Sequence, residues 1–488
     1  MNEVVVSAPA KESETAVNNQ AVNKPDLLTL EDALAMDNER VAELFKAHLN
    51  PAQFGLFRLL GFHKITLSRA EGMYYYDQND RAILDFFGGF GSLALGHNHP
   101  RILAARKRFQ DEKRHEIAIA FMSQYASTLA HNLAQIAPEN LDHVFLSTSG
   151  SEAVEYALKI AERVSGVRRK KIVFAEKAFH GKTRGSLSIT DSTLYQDDFT
   201  LLATTVKIPF GDIEALRQKL ESDPGIGILI LETIQGGAGI ITAPADYWRK
   251  VRNLCNKYKV VWIADEVQCG VGRTGRFFAF EHSGVVPDII TLAKSLGGGK
   301  AAVGAVIIRK NLYMKAYGDP KTAIIHAQAT FGGMGESSVT AIETLNTIYD
   351  ENLLENAAKQ GGLLLCELKR LKNKYPQLIK DVRGEGLMVG LEFHDFSQTM
   401  PGLLRGVLSI ADGKLKGSLC GFLGSILLRD HDILVAFTEY NRNVMRLEPP
   451  LIVTEEEILC FINAVDSLLS RGFTAIATRY VKGFVGQG

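Results

Sequence analysis

The chain has 488 residues, of which 46% are hydrophobic and 23% are charged. A chain of this size and composition can form a two-domain globular enzyme with a large core. Basic and acidic residues number 55 each, so the formal charge is zero, which argues against nucleic acid or an anionic membrane as a partner. The five cysteines are widely spaced, which indicates neither a CxxC metal site nor a disulfide framework and is typical of a reducing cytosol.

The N-terminal residues carry no visible export signal. Residues 1–28 mix alanine, serine, asparagine, lysine and glutamate without a basic start and an apolar stretch, which predicts a disordered arm. From about 30 to 50, the spacing of the apolar residues keeps one face and predicts a helix. The longest apolar run, near 419–428, meets charged residues at once and is too short to span a bilayer. We therefore expect a cytoplasmic protein with no membrane span.

The rest of the chain divides into three kinds of pattern. Residues 72–87 predict a hairpin that turns at 78–80. The middle, 100–310, alternates helical segments with short β-branched runs, which indicates a largely parallel sheet covered on both faces. A long helix is predicted near 336–374, and the tail from about 375 mixes helices with strands at 386–393 and 444–446.

These patterns predict an α/β fold, with a large domain and a smaller α+β domain. The boundaries that we expect are an N-terminal segment that joins the small domain, a large domain, and a small C-terminal domain with an apolar insertion near 396–440. In residue numbers, these three parts are 29–100, 101–360 and 361–488.

Polar residues close the predicted strands, at the sheet edge where ligands bind in open parallel sheets. One strand runs into Asp265, another into Glu232, and a third is followed by Lys294. Asp265 and Lys294 are 29 residues apart, about one crossover unit, so their strands are expected to be neighbours or near-neighbours. An acid and a lysine in one cleft can form a structural ion pair. They can also form a Schiff-base lysine beside a carboxylate that protonates a pyridine nitrogen.

A second candidate site precedes a predicted helix. Ser149, Gly150 and Ser151 are small residues at the start of that helix, where free backbone N–H groups can bind a phosphate. The alternative is an ordinary N-cap, because serine followed by glutamate at this spacing also caps helices. Phe179 follows a predicted strand and offers an aromatic face, either for stacking on a ring or for core packing.

Together, these residues belong to a series of blocks that resembles the class III pyridoxal-phosphate aminotransferases. That group includes the ornithine, acetylornithine, 4-aminobutyrate and putrescine enzymes, and the similarity covers roughly 40–480. The blocks 48–51, 88–91 and 446–451 most resemble putrescine (diamine) aminotransferase. The main series comprises Ser149–Glu152, Phe179–Lys182, Ile234–Gly236, Asp265–Gln268, Gly270–Gly275, Pro287–Ile289, Ala293–Gly299 and Thr330–Gly333.

The resemblance implies fold-type I, with a mostly parallel seven-stranded sheet in the large domain and pyridoxal 5'-phosphate as the cofactor. Lys294 would bind the cofactor as a Schiff base and shuttle a proton, and Asp265 would keep the ring nitrogen protonated. Phe179 and Val267 would pack on the two ring faces, and Gln268 would bind the ring oxygen. The further cofactor contacts that the resemblance implies are His180 and Glu232 around the ring and Gly150 and Ser151 at the phosphate.

The resemblance also implies substrates and a partner. Arg446 would bind the carboxylate of an amino acid or 2-oxo acid in a bidentate manner; the alternative is an ion pair with Glu448 or Glu439. Thr330 would reach the phosphate in the neighbouring subunit, which implies a homodimer. The implied reaction moves an amino group between a terminal (ω) primary amine, or its aldehyde, and a small 2-oxo acid. No metal is implied. An aminomutase, a decarboxylating relative and a silent cofactor-binding protein remain alternatives.

Two features depart from the family. Gly237 stands where many relatives have an acid that can mask the carboxylate-binding arginine, so we expect Arg446 to be unmasked. The segment between Phe393 and Arg446 is also long. Our hypothesis is that this insertion roofs the active site and offers apolar surface to a long or bulky amine. The alternative is a helix that packs on the small domain or at a dimer interface.

Overall fold

A computed structural model describes residues 27–60, 62–118, 120–323, 329–395 and 419–485. The described residues form two compact units, divided between Gly55 and Leu56. The predicted arm lies outside the described residues except for its last two positions, and so does the part of the predicted insertion from 396 to 418.

The first unit is built from short helices. Side-chain caps start the first two helices, because Thr29 and Asp37 each accept a backbone N–H of the following turn. No residue of these two helices is buried. The predicted helical structure over 30–50 is confirmed, but it consists of several short helices rather than one. These are α1 (Leu30–Ala35), α2 (Asn38–Leu44), a π-helical turn (Phe45–Leu49) and the start of α3 (Pro51–Leu60).

The second unit begins with an antiparallel meander of strands β1 (Leu67–Glu71), β2 (Tyr74–Asp77) and β3 (Ala82–Asp85). The hairpin predicted for 72–87 is confirmed as the β2–β3 pair. Asp77 fixes its turn, because the carboxylate accepts the N–H groups of Asn79 and Arg81 at 2.8 and 3.1 Å.

A seven-stranded sheet forms the centre of this unit, in the order β4-β12-β11-β10-β7-β5-β6. Neighbouring strands run parallel except at β12, which is antiparallel to both β11 and β4. The predicted α/β class with a mostly parallel sheet is therefore confirmed. In chain order the strands are β4 (Leu141–Ser147), β5 (Lys171–Ala175), β6 (Thr205–Ile208), β7 (Ile226–Glu232), the short hairpin β8 (Ile234–Gln235) and β9 (Ile241–Thr242), β10 (Val261–Asp265), β11 (Ile289–Leu292) and β12 (Gly304–Arg309).

Helices cover the three central strands of the sheet, which consist mainly of apolar residues. Every residue of β7, β10 and β11 is buried. Trp248 stacks on Trp262 of β10, with ring centroids 5.7 Å apart. The helices of this region are α4 (Pro100–Asp111), α5 (Gln124–Ile136), α6 (Gly150–Ser165), α7 (Arg184–Ser188), α8 (Thr193–Gln196), α9 (Ile213–Ser222), α10 (Tyr247–Tyr258), α11 (Lys310–Tyr317) and α12 (Pro320–Ala323), with 3₁₀ turns at Phe62–Lys64, Ala279–Ser283 and Lys294–Gly297.

The C-terminal part contains long helices and a second sheet. The single helix predicted near 336–374 is two helices, because Asn352 adopts a left-handed conformation (φ 53°) between them. The sheet has the order β13-β14-β17-β16 and is antiparallel throughout. The elements are α13 (Gly335–Asp350), α14 (Leu353–Lys374), β13 (Ile379–Glu385), β14 (Met388–Phe393), α15 (Leu419–His431), β15 (Ile433–Leu434), β16 (Ala436–Phe437), β17 (Val444–Leu447), α16 (Glu455–Leu469) and α17 (Gly472–Val485).

Helix α15 contains the apolar run of the predicted insertion. Its residues Leu419–Leu428 are buried apart from Ser425, and they belong to the same core cluster as residues of α14 and α16. Phe422 packs against Tyr480 of α17, with ring centroids 4.5 Å apart. This part of the insertion is therefore a core helix of the C-terminal region, which agrees with the alternative interpretation rather than with an apolar roof.

The described ranges contain no single helix with the length and apolar composition of a membrane span. Helix α16 and the adjoining stretch Gly472–Tyr480 reach these values together, with a bend of 101° between them.

Truncation of α15 tests its place in the core. We expect Leu427→Ala to lower the free energy of unfolding by about 2–5 kcal/mol, because Leu427 is fully buried and a cavity remains. The matched control is Leu194→Ala, which removes the same atoms from a side chain that is 76% exposed and should cost about 0.5 kcal/mol or less. Thermal and denaturant unfolding measure both changes. Equal, small effects would contradict the core placement of α15.

Candidate active site

A cavity of about 460 Å³ lies at the carboxyl ends of the central strands. Nine of the predicted cofactor-contacting residues line it. Two predicted residues do not line it: Thr330, which lies at another pocket, and Arg446, which is 3% exposed. The nine are Gly150, Ser151, Phe179, His180, Glu232, Asp265, Val267, Gln268 and Lys294.

The sheet brings the charged residues together by its strand order. Strand β10 lies between β7 and β11, and its last residue, Asp265, pairs in register with Glu232 on one side and Thr291 on the other. Lys294 follows two residues after the end of β11, in the turn that closes the cavity. The predicted proximity of the Asp265 and Lys294 strands is confirmed, because these strands are direct parallel neighbours.

Asp265 is 4% exposed and has three hydrogen-bond partners. Its Oδ1 accepts the hydroxyl of Thr291 at 2.9 Å and the N–H of Val267 at 3.1 Å. Its Oδ2 lies 2.6 Å from Nδ1 of His180. The Nε2 atom of His180 is buried and has no hydrogen-bond partner among the described residues. Three protein groups therefore hold the buried carboxylate in one orientation, without competition from water.

Lys294 has an unusual backbone and a perturbed amine. Its φ of 46° is left-handed, a conformation that is uncommon for a residue with a side chain and that clusters at functional sites. Burial lowers the pKa of the Lys294 ammonium from its usual value, and nearby Arg446 adds to that effect. The opposing influence of Glu448, Asp265 and Glu232 is smaller than the desolvation. The site therefore favours a neutral, nucleophilic amine.

Glu232 is a buried acid that backbone groups hold in place. Its two oxygens accept the N–H groups of Phe179 at 3.0 Å and of Gly236 at 3.1 Å. Burial raises the pKa of Glu232 to about 7, and the nearby His180 opposes part of this rise. The residue therefore orients the Phe179 loop and can hold a proton near neutral pH.

The start of α6 also lines the cavity, and Gly150 packs closely against Val267. Ser149 is the N-cap, because its hydroxyl accepts the N–H of Glu152 at 3.2 Å. The capping interpretation is therefore correct for this serine. The N–H groups of Gly150 and Ser151 have no hydrogen-bond partner in the described part of the chain, which leaves them available to an anion. A cap and an anion site therefore coexist in the same turn.

Arg446 is buried and lies beside an acid that is not at position 237. Its Nε lies 3.5 Å from Oε2 of Glu448, which is fully buried. Glu448, two residues along and considered from the sequence as an alternative partner, is therefore the acid next to Arg446, although no hydrogen bond joins the two side chains. Gln268 donates its Nε2 to both oxygens of Glu448, at 2.9 Å each, so its amide contacts this acid. Phe90 covers Arg446, with the guanidinium carbon 4.5 Å from the ring centroid.

Gly237 is crowded by the loop after β16. A side chain at this position would place its first carbon 3.1 Å from the ring of Tyr440 and 3.4 Å from Oε2 of Glu439. Tyr440 is fixed there, because its hydroxyl donates to the carbonyl of Ala178 at 2.8 Å and its N–H donates to the carbonyl of Gly237 at 3.3 Å. The space of the missing acid is therefore filled.

Glu266, next to Asp265, is fully buried and points away from the cavity lining. Its oxygens accept the hydroxyl of Thr233 at 2.6 Å and the N–H groups of Ala279 and Phe280 at 2.8 and 3.0 Å. Burial nevertheless raises the pKa of Glu266 to about 7. This acid ties the end of β10 to the turn at 279–283.

Sequence reasoning missed two residues that contact the site groups. Thr291 lies inside an apolar strand and donates to Asp265, and a lone hydroxyl in the run Asp288–Leu292 was the available signal. Glu448 was considered only as an alternative ion-pair partner of Arg446. Its contact with Gln268, 180 residues away, has no signal in the local sequence.

The chain is similar to known proteins over most of its length. The family profile described as aminotransferase class-III matches residues 61–469. A curated relative, the aminotransferase PigE of Serratia sp., is 33% identical over 469 residues, and the match covers 90% of this chain and 54% of that protein. The chain thus spans about half the length of this relative.

Solved structures share the fold along nearly their whole length. One is the ornithine aminotransferase of Toxoplasma gondii, described with partial occupancy of PLP at its active site. It is 26% identical with a TM-score of 0.77, over 93% of this chain and 98% of that one. Another is a thermostable omega transaminase mutant from Pseudomonas jessenii, 26% identical with a TM-score of 0.74, over 85% and 94% of the two chains.

The raised pKa of Glu266 predicts how stability depends on pH. Between about pH 4.5 and 7 the folded protein keeps the proton of Glu266, while the unfolded chain releases it. The contribution of Glu266 to the free energy of unfolding is therefore largest below pH 4.5 and is lost as the pH rises to about 7. Glu266→Gln removes this titration. The quantity of interest is the free energy of unfolding of the variant minus that of the unchanged protein. We expect this difference to rise by up to about 3 kcal/mol as the pH increases from 5 to 8. Thermal unfolding across this range measures the difference; a constant difference would contradict the assignment.

Proposed function

The chain belongs to the class III aminotransferases, a pyridoxal-phosphate-dependent family, and we propose that it moves an amino group between a terminal primary amine and a small 2-oxo acid. The observation that carries this proposal is that Lys294 and Asp265 line one cavity together with Gly150 and Ser151, whose backbone N–H groups have no partner among the described residues. The names of the solved relatives, an ornithine aminotransferase and an omega transaminase, support a terminal amine as one substrate.

The residues present fit pyridoxal 5'-phosphate. Gly150 and Ser151 would hold the phosphate at the start of α6, where the helix dipole favours an anion. Asp265, fixed by its three partners, would face the ring nitrogen, and the orphaned Nε2 of His180 leaves one further polar group for the same region. Phe179 and Val267 would pack against the ring. When bound, the cofactor supplies an electron sink that allows the substrate to lose a proton from the carbon that bears the amino group.

Lys294 is the catalytic residue in this proposal. Burial lowers its pKa and so favours the neutral amine, which is the form that would bind the aldehyde of the cofactor and accept a proton. The buried position of Asp265 and Glu232 keeps water away from these groups, which strengthens every electrostatic interaction in the cavity.

Arg446 would bind the carboxylate of the oxo acid or amino acid. Two of its guanidinium nitrogens, Nε and Nη2, are buried and lack a hydrogen-bond partner among the described residues. A buried donor without a partner is costly, and a bidentate carboxylate would satisfy both. This observation supports Arg446 as the carboxylate site even though Glu448 lies 3.5 Å from Nε.

Thr330 supports a homodimer with shared sites. Within one chain it is exposed and lies at a pocket other than the Lys294 cavity, so it does not serve the cofactor of its own chain. A second copy of the chain would bring it to the neighbouring phosphate, as the family resemblance implies.

A half-reaction screen tests the proposed function. We expect terminal amines to change the visible spectrum of the purified, cofactor-loaded protein, and a 2-oxo acid such as 2-oxoglutarate or pyruvate to reverse the change. Because Lys294 moves the proton, Lys294→Ala should slow both directions at least about 1000-fold. The matched control is Lys310→Ala, an exposed lysine at the start of α11, which should leave both rates unchanged. No response to any amine or oxo acid would contradict the proposal.

The amines in this screen should form a series of terminal amines of increasing chain length. Because α15 is buried in the core, we expect selectivity among amines to be independent of apolar substitutions on that helix.

Subunit complementation tests the role of Thr330. Thr330→Ala alone should weaken the affinity for pyridoxal phosphate about tenfold, because one hydrogen bond to a charged group is lost. A mixed dimer of Thr330→Ala and Lys294→Ala subunits would contain one site with both residues intact. We expect refolded mixtures to recover activity that neither variant shows at limiting cofactor. Absence of recovery, with mixed dimers present on native mass spectrometry, would contradict a shared site.

A further inference from the structure

A buried cluster of charges surrounds Glu448, beside the candidate cofactor cavity. Glu448 is fully buried, as is Arg273, and Arg446 is 3% exposed. Among the described residues, Nε and Nη2 of both arginines lack a hydrogen-bond partner. The burial of so many charged donors next to one acid is costly unless the charges offset one another.

The position of Glu448 is strongly determined. Gln268 donates to both of its oxygens at 2.9 Å, and Nε of Arg446 lies 3.5 Å from one of them. The left-handed turn Gly88–Gly91 packs directly on this residue: an added side chain at Gly88 would lie 2.0 Å from the carbonyl oxygen of Glu448, and one at Gly91 would lie 3.2 Å from Oε1. Only glycine at these two positions allows the approach.

Arg273 lies on the other side of the same acid. Its Nη1 donates to the carbonyl oxygens of Pro449 and Leu387, which anchors it to the backbone around Glu448. Burial lowers the pKa of Arg273 to about 10, and the charge of Glu448 opposes this shift. With both arginines charged, the cluster of Arg446, Arg273 and Glu448 carries a net charge of plus one.

We propose that Glu448 is a specificity-determining residue that acts as the built-in counter-ion of Arg446. It lowers the charge of the substrate site enough for a cationic amine without a carboxylate to bind, while one positive charge remains for a substrate carboxylate. This inference rests on the proposed function, because it assigns Arg446 to the carboxylate. Gln268 holds the Glu448 carboxylate when a substrate carboxylate engages Arg446. Arg273 then holds the backbone of the residue that follows Glu448, Pro449.

The proposal predicts opposite effects on the two substrates. Glu448→Gln keeps the shape and a hydrogen-bond acceptor for Gln268 but raises the cluster charge to plus two. We expect a dicarboxylate without amino or oxo group, glutarate, to bind about tenfold more tightly to the cofactor-loaded protein, because electrostatic attraction to Arg446 increases. We expect the amine half-reaction with 1,4-diaminobutane to show a KM about tenfold higher, because an ammonium now meets an uncompensated guanidinium.

Three variants provide the controls. Glu448→Asp retains the charge and should return both values toward those of the unchanged protein. Glu439→Gln removes an exposed acid near Gly237 that was an alternative partner of Arg446, and it should change the glutarate Kd by less than about twofold. Arg446→Gln should abolish glutarate binding, and that loss would show that the measured binding occurs at Arg446. Isothermal titration calorimetry gives the Kd, and stopped-flow absorbance gives the half-reactions.

The outcomes separate this inference from the proposed function. Tighter glutarate binding together with a weaker amine half-reaction supports the counter-ion role. Unchanged or weaker glutarate binding in Glu448→Gln, or an equal loss of both half-reactions, overturns it, because a merely structural acid would affect both substrates in the same direction. If the unchanged protein transaminates amines but binds glutarate equally well with and without Arg446, the carboxylate assignment itself is wrong, and the counter-ion role falls with it.

Discussion

Desolvation of charge at one sheet edge is the constraint on which the rest of the structure depends. The parallel strands β7, β10 and β11 end side by side, so the acids at their ends and the lysine that follows share one water-poor region. An isolated ion is costly there, and every charged group must have a partner or a shifted pKa. Asp265 has partners, because its carboxylate makes three hydrogen bonds. Lys294 and Glu232 have shifted pKa values instead.

The same constraint explains the surroundings of the site. Glu266 is tied to three donors on one side of β10, and Glu448 is tied to Gln268 and Arg446 on another. These contacts connect segments far apart in the chain and make the local geometry rigid. Rigid placement is what a group-transfer site needs, because reacting atoms must be held within a fraction of an ångström. The large sheet supplies this rigidity, and the C-terminal sheet holds Arg446 in β17, next to Glu448 and outside the cavity lining.

Much of this could be predicted from the sequence, for physical reasons that also mark the limit. Strand ends with polar residues and a small-residue helix start are local patterns, and they located Asp265, Lys294 and Gly150 correctly at one cavity. The break at Asn352 between α13 and α14 was missed, because apolar periodicity continues across a single left-handed residue. The proximity of Arg446 to Glu448 was only one of two alternatives. The sequence does not show whether such a pair is exposed at the surface or buried, and here both side chains are buried. Burial of α15 likewise depends on tertiary packing that periodicity does not reveal.

The crowding at Gly237 has a consequence for the side chain that faces it. The first carbon of any side chain there would come within 3.1 Å of the Tyr440 ring, which is anchored at both ends. A side chain at position 237 therefore requires the Tyr440 ring to shift by a few tenths of an ångström. The two positions are about two hundred residues apart in the chain, so the size of the residue at 237 constrains a side chain that is remote in the sequence.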